Sequence, residues 1–302
     1  MHNHILTHKV LSAKLRFAII LTFLILVLEF VGGILTNSLA LLSDAGHIFG
    51  DIFALGLSWV ALLISALPPN HRKTYGYHRA EILAALVNGV VLFLICGFIF
   101  YEAVKRISSP EEVLSLQMLL IAGVGLIINL IVAVRLKEAS KQNLNVKSAF
   151  LHVLGDMWAS VGVILGGIIM TFTGFYIVDP IISFFVGGII FNGAYRVSKE
   201  ALNILLEGVP ENVDPDEILS VLRKMEGVID VHDLHIWTIS SANLALSSHL
   251  VVGEQSTHAT GKILSQINDR LSKKYRITHL TIQFECQCCA GEQPECIVTE
   301  GL

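Results

Sequence analysis

The chain has 302 residues, of which 53% are hydrophobic and only 15% are charged. Soluble domains carry about 25% charged residues, so this composition excludes an ordinary soluble protein and predicts an integral membrane protein. The formal net charge of −4 provides no overall basic field, which argues against a nucleic-acid partner.

Six apolar stretches follow one another along the chain, each close to the ~20 residues with which a helix crosses a bilayer. They run over about 16–36, 39–65, 81–103, 113–135, 146–173 and 177–197. The first is not expected to be a cleaved signal peptide, because its apolar part is long and no small-residue cleavage pattern follows it. From about residue 207 the sequence becomes polar. We therefore predict an amino-terminal arm (1–15), a six-helix membrane domain (16–206) and a carboxyl-terminal domain (207–302).

Lysine and arginine predict the orientation, because short cytoplasmic loops carry an excess of both. In the predicted topology one side carries only Lys105 and Arg106, whereas the other side carries twelve basic residues: Lys9, Lys14, Arg16, Arg72, Lys73, Arg79, Arg135, Lys137, Lys141, Lys147, Arg196 and Lys199. We therefore expect both termini to be cytoplasmic, where reducing conditions favour thiols over disulfides.

Two histidine–aspartate pairs interrupt the apolar stretches, His47 with Asp51 and His152 with Asp156. An ionisable group at mid-bilayer costs ~2.5–3.5 kcal/mol, so such groups persist where they face protein, water or an ion. Two imidazoles and two carboxylates could complete a four-coordinate Zn²⁺ shell. A structural hydrogen bond or a proton relay is the alternative for each pair. Asp44, one turn nearer the outer side, is predicted to be a pathway group or a structural partner.

Several stretches of the chain resemble the cation diffusion facilitators, in particular zinc transporters and the bacterial cobalt–zinc–cadmium resistance exporters. They are "NSLALLSDAGHIFGD", "KTYGYHRAEILAALVNG", "NVKSAFLHVLGDMWASVG", "DPIISFFVGGII", "LLEGVP" and "VHDLHIWTISS". The resemblance implies a homodimeric exporter that exchanges a divalent cation, most often zinc, for protons by alternating access. It places the transport site at His47, Asp51, His152 and Asp156. It also implies that aspartate at the position of His47 broadens the specificity to cadmium.

The chain departs from some family members in two loops. The connection between the fourth and fifth spans, "LKEASKQNLNVKSA", lacks the histidine-rich insertion of many eukaryotic members. This difference points to a bacterial member, in the inner membrane. His71 and His78 are out of register with the further metal site that some bacterial members carry in the preceding cytosolic loop. Some members use the histidine equivalent to His78 at the boundary with the cytosolic domain, so His78 is a predicted pathway residue, with interfacial solvation as the alternative.

The carboxyl-terminal domain has patterns typical of two amphipathic helices and three strands. "DPDEILSVLRKMEG" and "THATGKILSQINDRLSKKY" predict the helices, and "VIDVHDLHIWTIS", "NLALSSHLVVG" and "ITHLTIQFE" predict the strands. The resulting α-β-β-α-β order indicates an α+β layer domain. The resemblance implies a metallochaperone-like dimerisation domain.

Further metal ligands are predicted in the cytosolic parts of the chain. His232, His249 and Glu285 match positions that bind zinc in relatives, although histidine beside a strand also occurs as an ordinary packed residue. Thiolates bind zinc well, so the segment "CQCCAGEQPEC" supplies four candidates, Cys286, Cys288, Cys289 and Cys296. His2 and His4 in the amino-terminal arm could transfer zinc to the carboxyl-terminal domain or to the transport site. Alternatively, they belong to a terminus without a role in metal binding.

Two functions of other classes compete with transport. An intramembrane zinc enzyme would keep one metal position open for water and would need a general base, whereas four ligands would fill a tetrahedral shell. A membrane metal sensor would need a partner motif to receive its signal, and the sequence contains no kinase, nucleotide-binding or DNA-binding motif. We therefore expect a transporter, not an enzyme, that carries Zn²⁺ in preference to Cd²⁺ and that also accepts Cd²⁺ or Co²⁺.

Overall fold

The computed structural model describes residues 2–140, 144–240 and 243–286, with the backbone alone for 2–16, 139, 144, 145 and 148. The chain divides into two compact units. The first contains residues up to Leu57 together with Val87–Arg196, and the second contains Ser58–Leu86 together with the residues from Val197 onward.

Six long helices account for the first two-thirds of the chain, and all six contain a segment long and apolar enough to cross a membrane. They are α1 (His2–Thr36), α2 (Leu39–Ser65), α3 (Ala80–Ser108), α4 (Ser115–Ser140), α5 (Leu144–Thr173) and α6 (Val178–Leu205). Helices α3, α4 and α6 extend beyond the predicted apolar stretches, because lysine, glutamate and alanine continue a helix after the apolar residues end. The predicted α4–α5 loop is therefore largely helical, and α1 begins in the predicted amino-terminal arm.

The outward faces of these helices are apolar. Leu94, Trp158 and Phe172 are 70%, 76% and 84% exposed, an arrangement that would be unfavourable in water because large apolar surfaces are normally buried. Lipid chains provide the matching environment for such faces. The fold is therefore that of a multi-pass integral membrane protein.

Small residues allow close packing within the first unit. Helix α4 packs against α1 and α5, and Cys96 of α3 lies in a cluster with Val186 and Ile190 of α6. At Gly50 of α2, an added Cβ would lie 2.3 Å from Leu92 of α3. Glycine at this position therefore permits α2 to approach α3 closely.

The carboxyl-terminal part of the second unit contains α7 (Pro215–Arg223), β1 (Val228–Ser240), β2 (Asn243–Val252), α8 (Thr257–Tyr275) and β3 (Ile277–Cys286). The sheet has the order β1-β2-β3, with β2 antiparallel to β1 and parallel to β3. The predicted α-β-β-α-β order is confirmed. Asp214 and Ser256 cap α7 and α8 by accepting hydrogen bonds from the amides of Asp216 and Ala259.

One apolar core joins these helices to the sheet. Its buried residues are Val213, Ile218, Leu222, Met225, Val231, Ile236, Leu246, Leu250, Val252, Ile263, Ile267, Leu271 and Ile277. Because every element of this part contributes to the core, side chains on neighbouring strands are held at fixed positions.

Candidate metal centres

Helices α2 and α5 present the two predicted histidine–aspartate pairs to each other. The shortest contact joins His152 Nε2 to Asp51 Oδ2 at 3.1 Å. His47 Nε2 lies 3.8 Å from Asp51 Oδ2 and 3.9 Å from Asp156 Oδ1, and His152 Nε2 lies 3.8 Å from Asp156 Oδ2. We call these four residues the membrane cluster.

The spacing of the membrane cluster is wider than that of a tetrahedral zinc shell. Ligands ~2.0–2.2 Å from a tetrahedral ion are separated by about 3.3–3.6 Å. The four histidine–carboxylate distances lie between 3.1 and 3.9 Å, but no three of these residues offer ligand atoms that all lie within 4.8 Å of one another. The two helices would therefore have to move closer together for all four groups to bind one ion.

The tightest contact of the membrane cluster joins its two helices. Asp51 Oδ2 is buried, and His152 Nε2 lies 3.1 Å from it, which is hydrogen-bond distance when that nitrogen carries a proton. A cation that binds both atoms would replace this contact.

Access to the membrane cluster differs between its two ends. At the end where α5 begins, the side chains of Asp51 and His152 are 34% and 44% exposed. At the opposite end, His47 is 28% exposed and Asp156 is 7% exposed. Asp44, one turn further toward the amino terminus of α2, is only 2% exposed. Within the described residues, the cluster is therefore more exposed at the end that the lysine and arginine distribution predicts to be cytoplasmic.

Two buried carboxylates lie near Asp156 of the membrane cluster. Asp44 interacts electrostatically with Asp156, and Glu29 of α1 interacts with both. One oxygen of Asp44 and one of Glu29 are buried without a hydrogen-bond partner. Asp44 remains a predicted pathway residue, and Glu29 joins it as a neighbour that sequence spacing alone did not place there.

The predicted cytosolic ligands His232, His249 and Glu285 come together on the three strands, and we call them the cytosolic cluster. His232 and His249 are paired across β1 and β2. Glu285 Oε2 lies 3.2 Å from His232 Nε2, and Glu285 Oε1 lies 3.0 Å from His249 Nδ1. One ligand atom from each residue lies within 4.8 Å of the other two. Three such ligands leave a fourth zinc position open.

One ring nitrogen of each histidine in the cytosolic cluster lacks a hydrogen bond. His232 Nε2 and His249 Nδ1 are buried and have no hydrogen-bond partner, although each lies close to Glu285. These short distances resemble those in the membrane cluster. The three ligand atoms lie close enough together to bind one metal ion.

Asp233 lies beside the cytosolic cluster, and the sequence reasoning did not single it out. It adopts a left-handed backbone conformation, with φ of 52°, at the irregular register between His232 and His235. Its Oδ2 lies 3.5 Å from His249 Nε2, and its Oδ1 lies 3.0 Å from His235 Nε2. Carboxylates behind a ligating histidine orient the ring and raise its basicity. The only sequence signal was its place in "VHDLH".

The remaining predicted residues lie elsewhere. His78 belongs to the second unit, where it lines a cavity of about 960 Å³ with neighbours that include Arg79, Glu207 and Trp237. His2 and His4 lie in the first turn of α1, and Cys286 ends β3. Cys288, Cys289 and Cys296 lie outside the described residues.

Comparison with known proteins identifies the class to which this fold and these clusters belong. Residues 15–206 match the model of the cation efflux transmembrane domain, and residues 210–287 match that of the cation efflux protein, cytoplasmic domain. The chain therefore belongs to the cation diffusion facilitator family of cation efflux transporters. Because this family consists of transporters, the protein is not an enzyme.

Three relatives illustrate the similarity. The cadmium, cobalt and zinc/H(+)-K(+) antiporter of Bacillus subtilis is 44% identical over 87% of this chain and 85% of its own length. The metal cation efflux system protein CzcD of Cupriavidus metallidurans is 42% identical over 91% and 87%. The zinc transporter ZitB of Escherichia coli is 38% identical over 96% and 92%.

One solved structure is similar to part of the chain. The metal-bound C-terminal domain of the CzcD transporter from Cupriavidus metallidurans is 36% identical. The match covers 24% of this chain and 99% of that one, with a TM-score of 0.22.

Proposed function

We propose that this protein exports Zn²⁺ from the cytoplasm in exchange for protons, by alternating access to the membrane cluster. The observation that carries this proposal is the meeting of two imidazoles and two carboxylates from α2 and α5 at 3.1–3.9 Å. The names of the relatives support zinc, cadmium and cobalt as the class of cargo, with antiport as the mode.

The chemistry of the histidines supports proton coupling. Neutral imidazole binds Zn²⁺ and imidazolium does not, so metal and protons compete for the nitrogens of His47 and His152. In the cytoplasm-facing state these residues bind zinc and release protons. After the helices have rearranged, protons from the outer side displace the zinc.

The asymmetric exposure of the cluster supports alternating access. Asp51 and His152 (34% and 44% exposed) are more exposed than His47 and Asp156 (28% and 7% exposed), as expected for a state that loads from one side. We assign the accessible end to the cytoplasm because basic residues concentrate in the loops on that side. This assignment places both termini in the cytoplasm and, for a bacterial protein, the transporter in the inner membrane.

The cytosolic domain is proposed to form a homodimer and to bind regulatory zinc. The match to the cation efflux protein, cytoplasmic domain supports dimerisation. The cytosolic cluster has an open position, which water or a fourth protein ligand would fill. A purely sensory role has less support, because the family consists of efflux transporters.

Zinc flux into proteoliposomes under an imposed pH gradient tests the proposal. Purified full-length protein should accumulate Zn²⁺ when the lumen is acidic, and the rate should fall when the gradient is collapsed. The His152→Ala variant, reconstituted at the same density, should accumulate none. Accumulation that is indifferent to the gradient would reject proton coupling, and accumulation by His152→Ala would reject the membrane cluster as the transport site.

A further inference from the structure

The amino terminus of α2 is held by a carboxylate from another helix. Asp179, the second residue of α6, accepts hydrogen bonds from Ser38 Oγ and the Ala40 amide through Oδ1, at 2.7 and 3.2 Å. Its Oδ2 accepts a hydrogen bond from the Leu39 amide at 2.7 Å. Asp179, Ser38, Leu39 and Ala40 are at most 1% exposed, so these contacts are shielded from water.

The chemistry of a helix terminus makes this contact strong. The first amides of a helix lack partners within the helix, and the macrodipole favours a negative charge there. Hydrogen bonds to an ionised acceptor are shorter and about twice as strong as neutral ones. Both oxygens of Asp179 are used, so an asparagine would place an amide NH₂ against either the Leu39 amide or the Ser38–Ala40 pair.

A guanidinium fixes the turn that precedes α2. Arg106 of α3 donates hydrogen bonds to the backbone oxygen and to Oδ1 of Asn37, at 2.6 and 2.9 Å, and pairs with Glu102. Asn37 has a left-handed conformation, with φ of 57°. The start of α2 is thus fixed against α6 by Asp179 and against α3 by Arg106.

The position of α2 determines the position of half of the membrane cluster. His47 and Asp51 lie eight and twelve residues beyond Leu39, which corresponds to about 12 and 18 Å along one continuous helix. A shift or rotation of the α2 terminus therefore moves both side chains relative to His152 and Asp156. Metal sites tolerate displacements of only about 0.5 Å.

We propose that Asp179 is a positioning residue for metal binding. By clamping the amino terminus of α2 to α6, it sets the axial position and rotation at which His47 and Asp51 meet His152 and Asp156. This inference rests on the proposed transport site. Asp179 contacts Ser38 and the first amides of α2. Arg106 of α3 binds Asn37 in the turn that precedes α2.

The test measures zinc affinity in full-length protein that carries His232→Ala, His249→Ala and serine in place of the four candidate cysteines (Cys286, Cys288, Cys289 and Cys296), so that binding reports on the membrane cluster. A misplacement of about 1 Å caused by a distant mutation can cost about 100-fold, and we expect Asp179→Asn to raise the dissociation constant and the KM for zinc by at least about tenfold. The matched control is Ser183→Ala, one turn along α6, whose hydroxyl donates only to the Asp179 backbone oxygen. It should stay within about twofold, well below the effect of a positioning residue.

Two further measurements separate positioning from folding. Amide hydrogen exchange should accelerate at Leu39 and Ala40 in Asp179→Asn, and Ser38→Ala should raise the dissociation constant less than Asp179→Asn does. The effects of Ser38→Ala and Asp179→Asn should be non-additive, because both act through one contact. If Asp179→Asn does not fold, Ser38→Ala decides the question.

The inference is overturned if folded Asp179→Asn, or Ser38→Ala in its place, binds zinc with the parent affinity. Failure of the underlying transport site gives a different result. In that case His47→Ala would also bind zinc with the parent affinity, whereas the inference requires His47→Ala to lose binding in the same assay.

Discussion

The membrane cluster and the cytosolic cluster use the same ligand chemistry on different scaffolds. The membrane cluster joins α2 and α5 through contacts between side chains. The cytosolic cluster lies on strands that are joined by backbone hydrogen bonds in fixed register. Among the described residues, only the cytosolic cluster has three ligand atoms that all lie within 4.8 Å of one another.

The difference between the helical scaffold and the sheet scaffold affects how easily each site can release an ion. Helices that meet through side chains can shift relative to each other by small sliding motions, so the spacing of the membrane cluster can change. Strands in a shared sheet keep their spacing, because moving one strand breaks its backbone hydrogen bonds. A site for cargo therefore suits the helices, and a site for a retained ion suits the sheet.

The largest expected effect is the loss of transport when the membrane cluster loses a carboxylate. Asp51→Ala and Asp156→Ala should each reduce zinc flux by at least about tenfold, because even residues behind a ligand alter metal affinity 10–100-fold. Flux in proteoliposomes at equal protein density measures the effect, with Asp269→Ala on the exposed face of α8 as control. A flux equal to that of the parent protein in either variant would contradict the assignment of the membrane cluster as the cargo site.

A change of ligand type should alter which metal is carried. His47→Asp should increase cadmium flux relative to zinc flux, because a carboxylate can bind through one or two oxygens and so accommodate a larger ion. The parent protein should prefer zinc. Parallel flux assays with Zn²⁺ and Cd²⁺ measure the ratio, and an unchanged ratio would show that His47 does not set selectivity.

In the cytosolic cluster, Asp233→Asn should weaken zinc binding by about 10–100-fold, as expected for a group that orients a ligating histidine. Titration calorimetry on full-length protein carrying His152→Ala removes the contribution of the membrane cluster. Asp230→Asn is the matched control, because Asp230 lies on the same strand and pairs with Arg223. Equal zinc affinities for the two variants would show that Asp233 does not contribute to zinc binding.

The smallest effect is expected at the exposed pair that joins α7 to α8. A hydrogen bond from Lys274 lowers the pKa of Glu217. The contact therefore adds stability above the usual carboxyl range, and that contribution is lost as the pH falls through the lowered pKa. Glu217→Gln should unfold at a slightly lower denaturant concentration than the parent at pH 7, and the difference should shrink in acid. A difference that grows on acidification would contradict this assignment of charge.

The sequence could predict the features that depend on local spacing. The six spans follow from runs of apolar residues, and the pairs His47–Asp51 and His152–Asp156 follow from the i, i+4 spacing on a helix. Hydropathy could not predict where α3, α4 and α6 end, because it detects lipid-facing residues and not helix termini. The helices continue in polar sequence as far as Ser108, Ser140 and Leu205.

Features that depend on tertiary contacts could not be predicted from the sequence. Asp179 meets Ser38 across 141 residues of chain, and no local pattern links them. Asp233 reaches His249 because an irregular strand register places it in a left-handed conformation, which its residue type alone does not reveal.

X-ray absorption of bound zinc tests the central claim most directly. Full-length protein carrying His232→Ala, His249→Ala, Cys286→Ser, Cys288→Ser, Cys289→Ser and Cys296→Ser should show two imidazole nitrogens and two carboxylate oxygens at ~2.0–2.2 Å from the zinc. The additional change Asp156→Ala should remove this signal. Sulfur in the coordination shell, or a spectrum unchanged by Asp156→Ala, would contradict the assignment of His47, Asp51, His152 and Asp156 as the transport site.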